Sequence, residues 1–203
     1  RQRQRLALIH DLDREFLARS DHNSQVEAAI SNYEIAYRMQ SAVPELVDLR
    51  GESEATKKLY GLDSEVAAKA AYARQCLVAR RLVERGVRFV ELTMIRGHGD
   101  GTMANPWDQH YKLVEGHTAN AFVVDQPVAG LVKDLKARGL LDETLIIFTG
   151  EFGRTPFVQS EDGRDHNPFG FSLWLAGGGL KKGFIYGATD EYGYRVVENK
   201  QTL

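Results

Sequence analysis

Cysteine is nearly absent from this chain, in which Cys76 is the single thiol among 203 residues. No disulfide can form within the chain, so cysteine usage does not distinguish the cytosol from an exported compartment. The apolar neighbours Leu77 and Val78 favour a small buried side chain on a helix over a reactive thiol.

Long apolar runs and an excess of one charge are also lacking. No stretch is long enough to span a bilayer, and the residues from Arg1 onward show no signal-peptide pattern, so we expect none. The formal net charge of −2 argues against a nucleic acid held on a basic face. Because the chain has no excess of positive charge, we expect a small-molecule partner.

A chain of this length can bury a substantial core, as one domain or as the greater part of a larger one.

The first 86 residues are predicted to be mostly helical. Apolar residues recur at helical spacing in two stripes up to about residue 40, and Ser24 is the expected cap of the second helix. Pro44 is expected to interrupt the helical pattern. A long helix is then predicted from a cap at Asp63 or Ser64 to Gly86.

The pattern changes to α/β after Gly86. Residues 87–93, 145–149 and 172–176 are predicted strands, the second of them covered on both faces. The helix between the first two has Pro127, which either opens its regular part or kinks a longer helix that begins near Lys112. The order strand, helix, strand predicts a doubly wound sheet flanked by helices, with the first two strands parallel.

Polar side chains follow two of these strands. His98 and Asp100 come after the first, and Glu151 and Arg154 come after the second. Glu151 is the strongest single candidate for a functional residue, because it lies between two glycines where packing does not account for a long polar side chain. The alternative is a loop carboxylate that caps the next turn or pairs with Arg154.

Carboxylate and imidazole side chains supply a candidate metal site. Asp108 and His110 are two residues apart, a spacing that lets both face one ion from an extended segment, although a simple turn is the alternative. His166 follows Asp165 in a loop bounded by glycine and proline, and His117 is a weaker candidate. Such ligands suit zinc and harder divalent ions.

Two arginines are candidates for anion binding. A planar guanidinium can bind phosphate or sulfate through two hydrogen bonds, which suits Arg154 and Arg164 beside a metal. The alternative is that each arginine only balances the charge of a carboxylate, Arg154 that of Glu151 and Arg164 that of Asp165.

Four motifs together resemble the DUF1501 family, a set of uncharacterised bacterial proteins that is abundant in planctomycetes and often described as sulfatase-like. They are TGEFGRTP at residues 149–156, GRDHNP at 163–168, LAGGG at 175–179 and YGATDE at 186–191. The resemblance extends back through residues 37–40 and 45–49, and so covers nearly all of the chain.

The family is similar to the alkaline phosphatase superfamily, whose phosphatases, sulfatases and phosphoglycerate mutases use two bound metals. The superfamily pattern T-x-D-H-G corresponds to residues 149–153, so Glu151 replaces the aspartate and Phe152 stands where a histidine ligand is usual. The resemblance also implies that Asp108, His110 and His166 are metal ligands. The divalent metal is expected to be zinc, with calcium, magnesium or manganese as alternatives.

The resemblance also implies an incomplete site. Superfamily members place a metal-binding aspartate and the nucleophile after an early strand, and the family continues past residue 199 into a histidine-containing segment. We therefore expect residues 1–203 to form one partial alkaline-phosphatase-like domain, mostly helical over 1–86, with the metal site in 87–203. Family members commonly carry an export signal, which implies a periplasmic or outer location.

Two functions of different classes are expected. The first is a metal-dependent hydrolase of phosphate or sulfate esters, with metal ligands at Asp108, His110, Glu151 and His166. The second is a non-catalytic protein that keeps the fold and binds a metal or an anionic glycan. Phe152 favours binding alone, whereas the close spacing of the candidate ligands favours hydrolysis.

Overall fold

The computed structural model describes residues 2–19, 23–94 and 107–201. The chain divides into two compact units, Arg1–Gly51 and Glu52–Leu203. Helices and short antiparallel strands make this a mixed α/β protein. The grouping of all 203 residues into one partial domain stays a prediction.

The first unit contains two helices, α1 (Gln2–Arg19) and α2 (Ser24–Val47), followed by a 3₁₀ turn at Leu49–Gly51. His10 Nδ1 of α1 lies 2.9 Å from Glu34 Oε1 of α2.

Two sequence predictions about α2 are corrected. The cap is Asn23, whose side chain accepts a hydrogen bond from the Gln25 N–H at 3.0 Å, in place of Ser24, which is the first helical residue. Pro44 does not interrupt the helix but lies inside its last turns. A proline costs a helix one N–H donor and crowds the preceding turn, and this helix continues for only three residues beyond it.

Three helices form the core of the second unit: α3 (Glu54–Tyr60), α4 (Ala67–Glu84) and α5 (Leu113–Ala137). Pro127 lies within α5 and is buried, so the longer helix is the correct alternative. Gly130 permits the close approach of α5 to α3, since a Cβ there would lie 2.9 Å from the Leu59 carbonyl oxygen. The apolar side chains buried between the helices are Tyr60, Tyr72, Ala73, Cys76, Leu77, Val123, Val124, Leu131 and Leu135.

Cys76 belongs to this core, as its apolar neighbours in the sequence indicate. Its side chain is fully buried, and burial raises the pKa of the thiol to about 12. It is therefore a packing residue.

No helix of the described residues is long and apolar enough to cross a membrane.

A buried cluster of ion pairs joins the three helices at Arg80 of α4. The guanidinium donates to Glu52 Oε2 at 2.7 Å and to Glu84 Oε2 at 2.6 Å, and its Nε lies 3.0 Å from Asp134 Oδ2 of α5. Burial opposes the charge of Arg80, but the carboxylates outweigh it and raise the pKa. Asp134 also accepts hydrogen bonds from the Tyr60 hydroxyl and from Arg138.

Six short strands complete the second unit: β1 (Leu145–Phe148), β2 (Gly153–Gln159), β3 (Gly163–Asn167), β4 (Trp174–Gly177), β5 (Ala188–Thr189) and β6 (Val196–Glu198). They pair as three two-stranded antiparallel sheets, β1 with β4, β2 with β3 and β5 with β6.

The predicted doubly wound sheet is not found in the described residues. The two later predicted strands do pair, as β1 and β4, but they run antiparallel. Residues 87–93 form no strand, and Phe89 is 82% exposed. Alternating side chains indicate a surface suited to a sheet, whereas a strand also requires a neighbour for its backbone groups. Ile147 is 56% exposed, so β1 is not covered on both faces here.

We expect Arg80→Met to lower the free energy of unfolding by about 3–5 kcal/mol, because three carboxylates lose their shared buried cation. Urea denaturation followed by circular dichroism measures this change. The control is Arg88→Met at an exposed position, where a change within about 0.5 kcal/mol is expected. Equal stabilities of the two variants would show that the cluster adds nothing to the fold.

Candidate metal centre

The centre is built on the β2–β3 hairpin. Arg154 of β2 lies opposite His166 of β3, and Gln159 lies opposite Gly163 at the other end of the pairing. The register shifts between Arg154 and Val158, where the buried Thr155 hydroxyl donates to the Phe157 carbonyl and accepts from the Asp165 N–H. This irregularity fixes which side chains of the hairpin lie near each other.

The segment 107–112, which we call the ligand segment, packs against the end of this hairpin. The Arg164 N–H donates to the Gln109 carbonyl at 3.0 Å, and the Lys112 N–H donates to Asp162 Oδ1 at 2.6 Å. A Cβ on Gly163 would lie 2.0 Å from the His110 carbonyl oxygen. Only glycine therefore allows the two backbones to approach so closely.

Three side chains converge as a result, and we call them the three-ligand cluster: Asp108, His110 and His166. Asp108 Oδ1 lies 3.1 Å from His110 Nε2 and 3.2 Å from His166 Nε2. The two Nε2 atoms are 3.2 Å apart. These atoms form a group within metal-ligating reach of one ion.

The distances fit a small divalent ion. A tetrahedral zinc ion with bonds of about 2.0–2.1 Å sets neighbouring ligand atoms about 3.3 Å apart. Three ligand atoms separated by 3.1–3.2 Å therefore need little movement to enclose such an ion. The side chains are half-buried to exposed, which leaves a path for a ligand from solvent.

Arg154 contacts the three-ligand cluster, whereas the Arg164 guanidinium contacts backbone carbonyls of the hairpin. Arg154 Nη2 donates to Asp108 Oδ1 at 2.8 Å, and this hydrogen bond holds the pKa of Asp108 below its usual value. The buried Nη1 of Arg154 makes no hydrogen bond within the described residues. Arg154 thus balances Asp108 and not Glu151, the alternative weighed from the sequence. Arg164 instead donates to the carbonyl oxygen of Gly163.

Two predicted ligands lie outside the three-ligand cluster. Glu151 is exposed and is not among the side chains that converge. His117 packs edge-on against Trp107, with 5.4 Å between the ring centroids. Burial lowers the pKa of His117, which favours a neutral ring. The candidates His98 and Asp100 fall outside the described residues.

Phe152 lies beside the cluster. Its ring centroid is 4.3 Å from that of His166, and the Arg154 guanidinium lies 5.6 Å from the Phe152 ring. Phe152 therefore packs against a candidate ligand and limits its motion.

Gln159 contacts the candidate ligand His110, and the sequence did not predict this contact. Its Oε1 lies 2.5 Å from His110 Nδ1, on the ring edge opposite the cluster. No feature of the sequence marks this glutamine, because its position near His110 depends on the register of the hairpin and on the close contact at Gly163.

Comparison with known families adds one finding. A family model described as a protein of unknown function, DUF1501, matches residues 1–203. The chain belongs to the DUF1501 family. No curated protein and no solved structure matches the chain. Membership of DUF1501 confirms the family resemblance of the four sequence motifs and leaves the activity to be inferred from the site.

We expect Gly163→Ala to weaken divalent-metal binding about tenfold or more, because the methyl group forces the ligand segment away from the hairpin. Isothermal titration with zinc measures the affinity, and circular dichroism reports whether the helices remain. Gly150→Ala is the matched control, since its Cβ meets nothing closer than 3.5 Å. Zinc affinity in Gly163→Ala equal to that of the control would contradict this role of the close contact.

Proposed function

We propose that this DUF1501 chain binds a divalent metal, zinc before others, through Asp108, His110 and His166, and that the centre acts on phosphate or sulfate esters. The observation that carries the proposal is the convergence of two imidazole nitrogens and one carboxylate oxygen at 3.1–3.2 Å. Imidazole favours zinc over calcium and magnesium, which prefer oxygen ligands.

Three protein ligands are typical of a catalytic zinc site, in which a further coordination position is left for water or substrate. A bound divalent ion would polarise the ester and lower the pKa of a nucleophile. The protein's own part is to hold three ligand atoms in place and to keep Arg154 beside them.

Arg154 supports the choice of a tetrahedral anion as ligand. Its Nη2 is occupied by Asp108, and its buried Nη1 has no hydrogen-bond partner in the described residues. A buried guanidinium N–H without a partner is costly, and an oxyanion of the substrate would satisfy it. Together with a divalent ion, this arrangement gives the site a net positive charge that suits a phosphate or sulfate group.

The finer assignments rest on the family resemblance. A relationship to the alkaline phosphatase superfamily, with its doubly wound sheet, is proposed from the motifs around residues 149–156 and 163–168. Glu151 is kept as a proposed fourth ligand because it adjoins Phe152, whose ring contacts His166. Its exposed side chain would have to turn toward the cluster.

Binding without hydrolysis is the second candidate function. Phe152 favours it, since an apolar ring lies against His166 where the superfamily pattern provides a histidine ligand. In the described residues, the side-chain hydrogen bonds of the cluster involve carboxylate, imidazole, amide and guanidinium groups, and no hydroxyl or thiol nucleophile. A metal and Arg154 alone suffice to bind an anionic glycan.

We expect the purified protein to contain close to one equivalent of a divalent metal, and His166→Ala to lose it, because one of three ligands is removed. Elemental analysis after purification without chelator measures the content. His10→Ala is the matched control, since His10 lies on α1 and pairs with Glu34. Glu151→Ala tests the fourth ligand in the same assay. A wild-type protein without stoichiometric metal would refute the centre.

We expect Arg154→Ala to weaken binding of inorganic phosphate about tenfold or more, because a charge-assisted hydrogen bond is removed. Titration of the zinc-loaded protein measures the affinity, with Arg164→Ala as the control outside the cluster. Equal phosphate affinities in the two variants would remove Arg154 from the proposed anion site.

Hydrolysis is assayed in the same variants with aryl phosphate and aryl sulfate esters. Residues 1–203 alone are expected to show none above background, since positioning a nucleophile accounts for about 7–11 kcal/mol of barrier lowering. Any longer product of the same reading frame is assayed beside them. Phosphate binding without turnover in both would favour the binding function, and turnover by residues 1–203 would show that the chain supplies its own nucleophile.

A further inference from the structure

Gln159 lies at the end of β2, with its side chain directed at the candidate ligand His110. Its Oε1 is 2.5 Å from His110 Nδ1. We infer that Gln159 is a positioning residue that selects the His110 tautomer able to bind a metal. The inference rests on the proposed metal centre and adds to it a residue with a defined role.

The Gln159 amide faces His110 Nδ1 with its oxygen and not with its NH₂ group. Because an amide oxygen only accepts hydrogen bonds, the proton in this arrangement belongs to His110 Nδ1. Asp165 Oδ1 lies 4.0 Å from the same nitrogen and favours a proton there as well. A neutral imidazole carries one N–H, so its Nε2 is left with a lone pair.

The lone pair on His110 Nε2 lies at the nitrogen that faces the other two candidate ligands. His110 Nε2 lies 3.1 Å from Asp108 Oδ1 and 3.2 Å from His166 Nε2. The opposite tautomer would direct an N–H into the cluster and exclude a metal from that nitrogen. Gln159 therefore acts on His110 without approaching the metal position itself.

The hairpin holds Gln159 in place for this role. Gln159 pairs with Gly163, and Gly163 is the residue against which the His110 backbone packs. The same hairpin supplies His166 and Arg154. One element therefore carries a ligand, the anion-binding arginine and the tautomer-selecting amide. Such outer contacts typically change metal affinity by about 10- to 100-fold when they are removed.

The first test measures the tautomer in the metal-free chain at about pH 8, where free imidazole is neutral. Long-range proton–nitrogen correlation NMR is expected to show His110 protonated at Nδ1 in the wild type and a mixture of both tautomers in Gln159→Leu. Gln201→Leu, at an exposed position, is the control. An Nε2-protonated His110 in the wild type, or an unchanged tautomer in Gln159→Leu, would overturn the inference.

The second test measures the affinity for zinc and the visible spectrum of the cobalt-loaded chain. Gln159→Leu is expected to bind zinc about 10- to 100-fold more weakly. Gln159→Glu keeps an acceptor at the same atom and is expected to restore both the affinity and the cobalt spectrum. Restoration separates positioning from a general effect on folding, and a Gln159→Glu variant as weak as Gln159→Leu would count against the inference.

The two proposals fail in different ways. A wild-type chain that binds no metal would refute the proposed centre, while the tautomer measurement would still decide the role of Gln159. A wild-type chain that binds zinc with an affinity unchanged in Gln159→Leu would refute the role of Gln159 and leave the centre intact.

Discussion

The arrangement of the candidate site depends on one close backbone contact, between Gly163 of the hairpin and the His110 carbonyl. This contact brings Asp108 and His110 to the strand that carries His166. The ligand segment leads directly into α5, and α5 is joined to α4 by the buried pair of Asp134 and Arg80. The buried ion pairs around Arg80 therefore hold α5 in place, and the start of α5 determines where the ligand segment ends.

The electrostatics of the centre are set by its donor atoms. With Gln159 bonded to Nδ1, His110 presents a lone pair beside a carboxylate oxygen and a second imidazole nitrogen. Electron-rich atoms at this separation repel one another unless a cation or a proton lies between them. Arg154 relieves part of that repulsion at Asp108 from outside the cluster. A divalent ion between the three ligand atoms would offset the repulsion that remains.

Sequence reasoning recovered part of this structure. Helical periodicity located α4 and α5, and the spacing of Asp108 and His110 anticipated that both could face one ion. Strand partners could not be inferred, because alternation describes side chains and not the neighbour that completes the backbone hydrogen bonds. The side-chain direction of Glu151 could not be inferred for a similar reason, since its position after β1 does not say which way the side chain points. Gln159 meets His110 across 49 residues of sequence, through a hairpin register that no local pattern encodes.

Asp108 Oδ1 serves two partners at once, because it accepts from Arg154 and also faces the position between His110 and His166. An anion that draws the guanidinium away would change how strongly that oxygen can hold a metal. Thermodynamic linkage then requires the reverse effect to have the same size, so a bound metal would change the affinity for the anion by an equal factor. Occupancy of the proposed metal and anion sites would then be a single cooperative quantity, transmitted through one carboxylate oxygen.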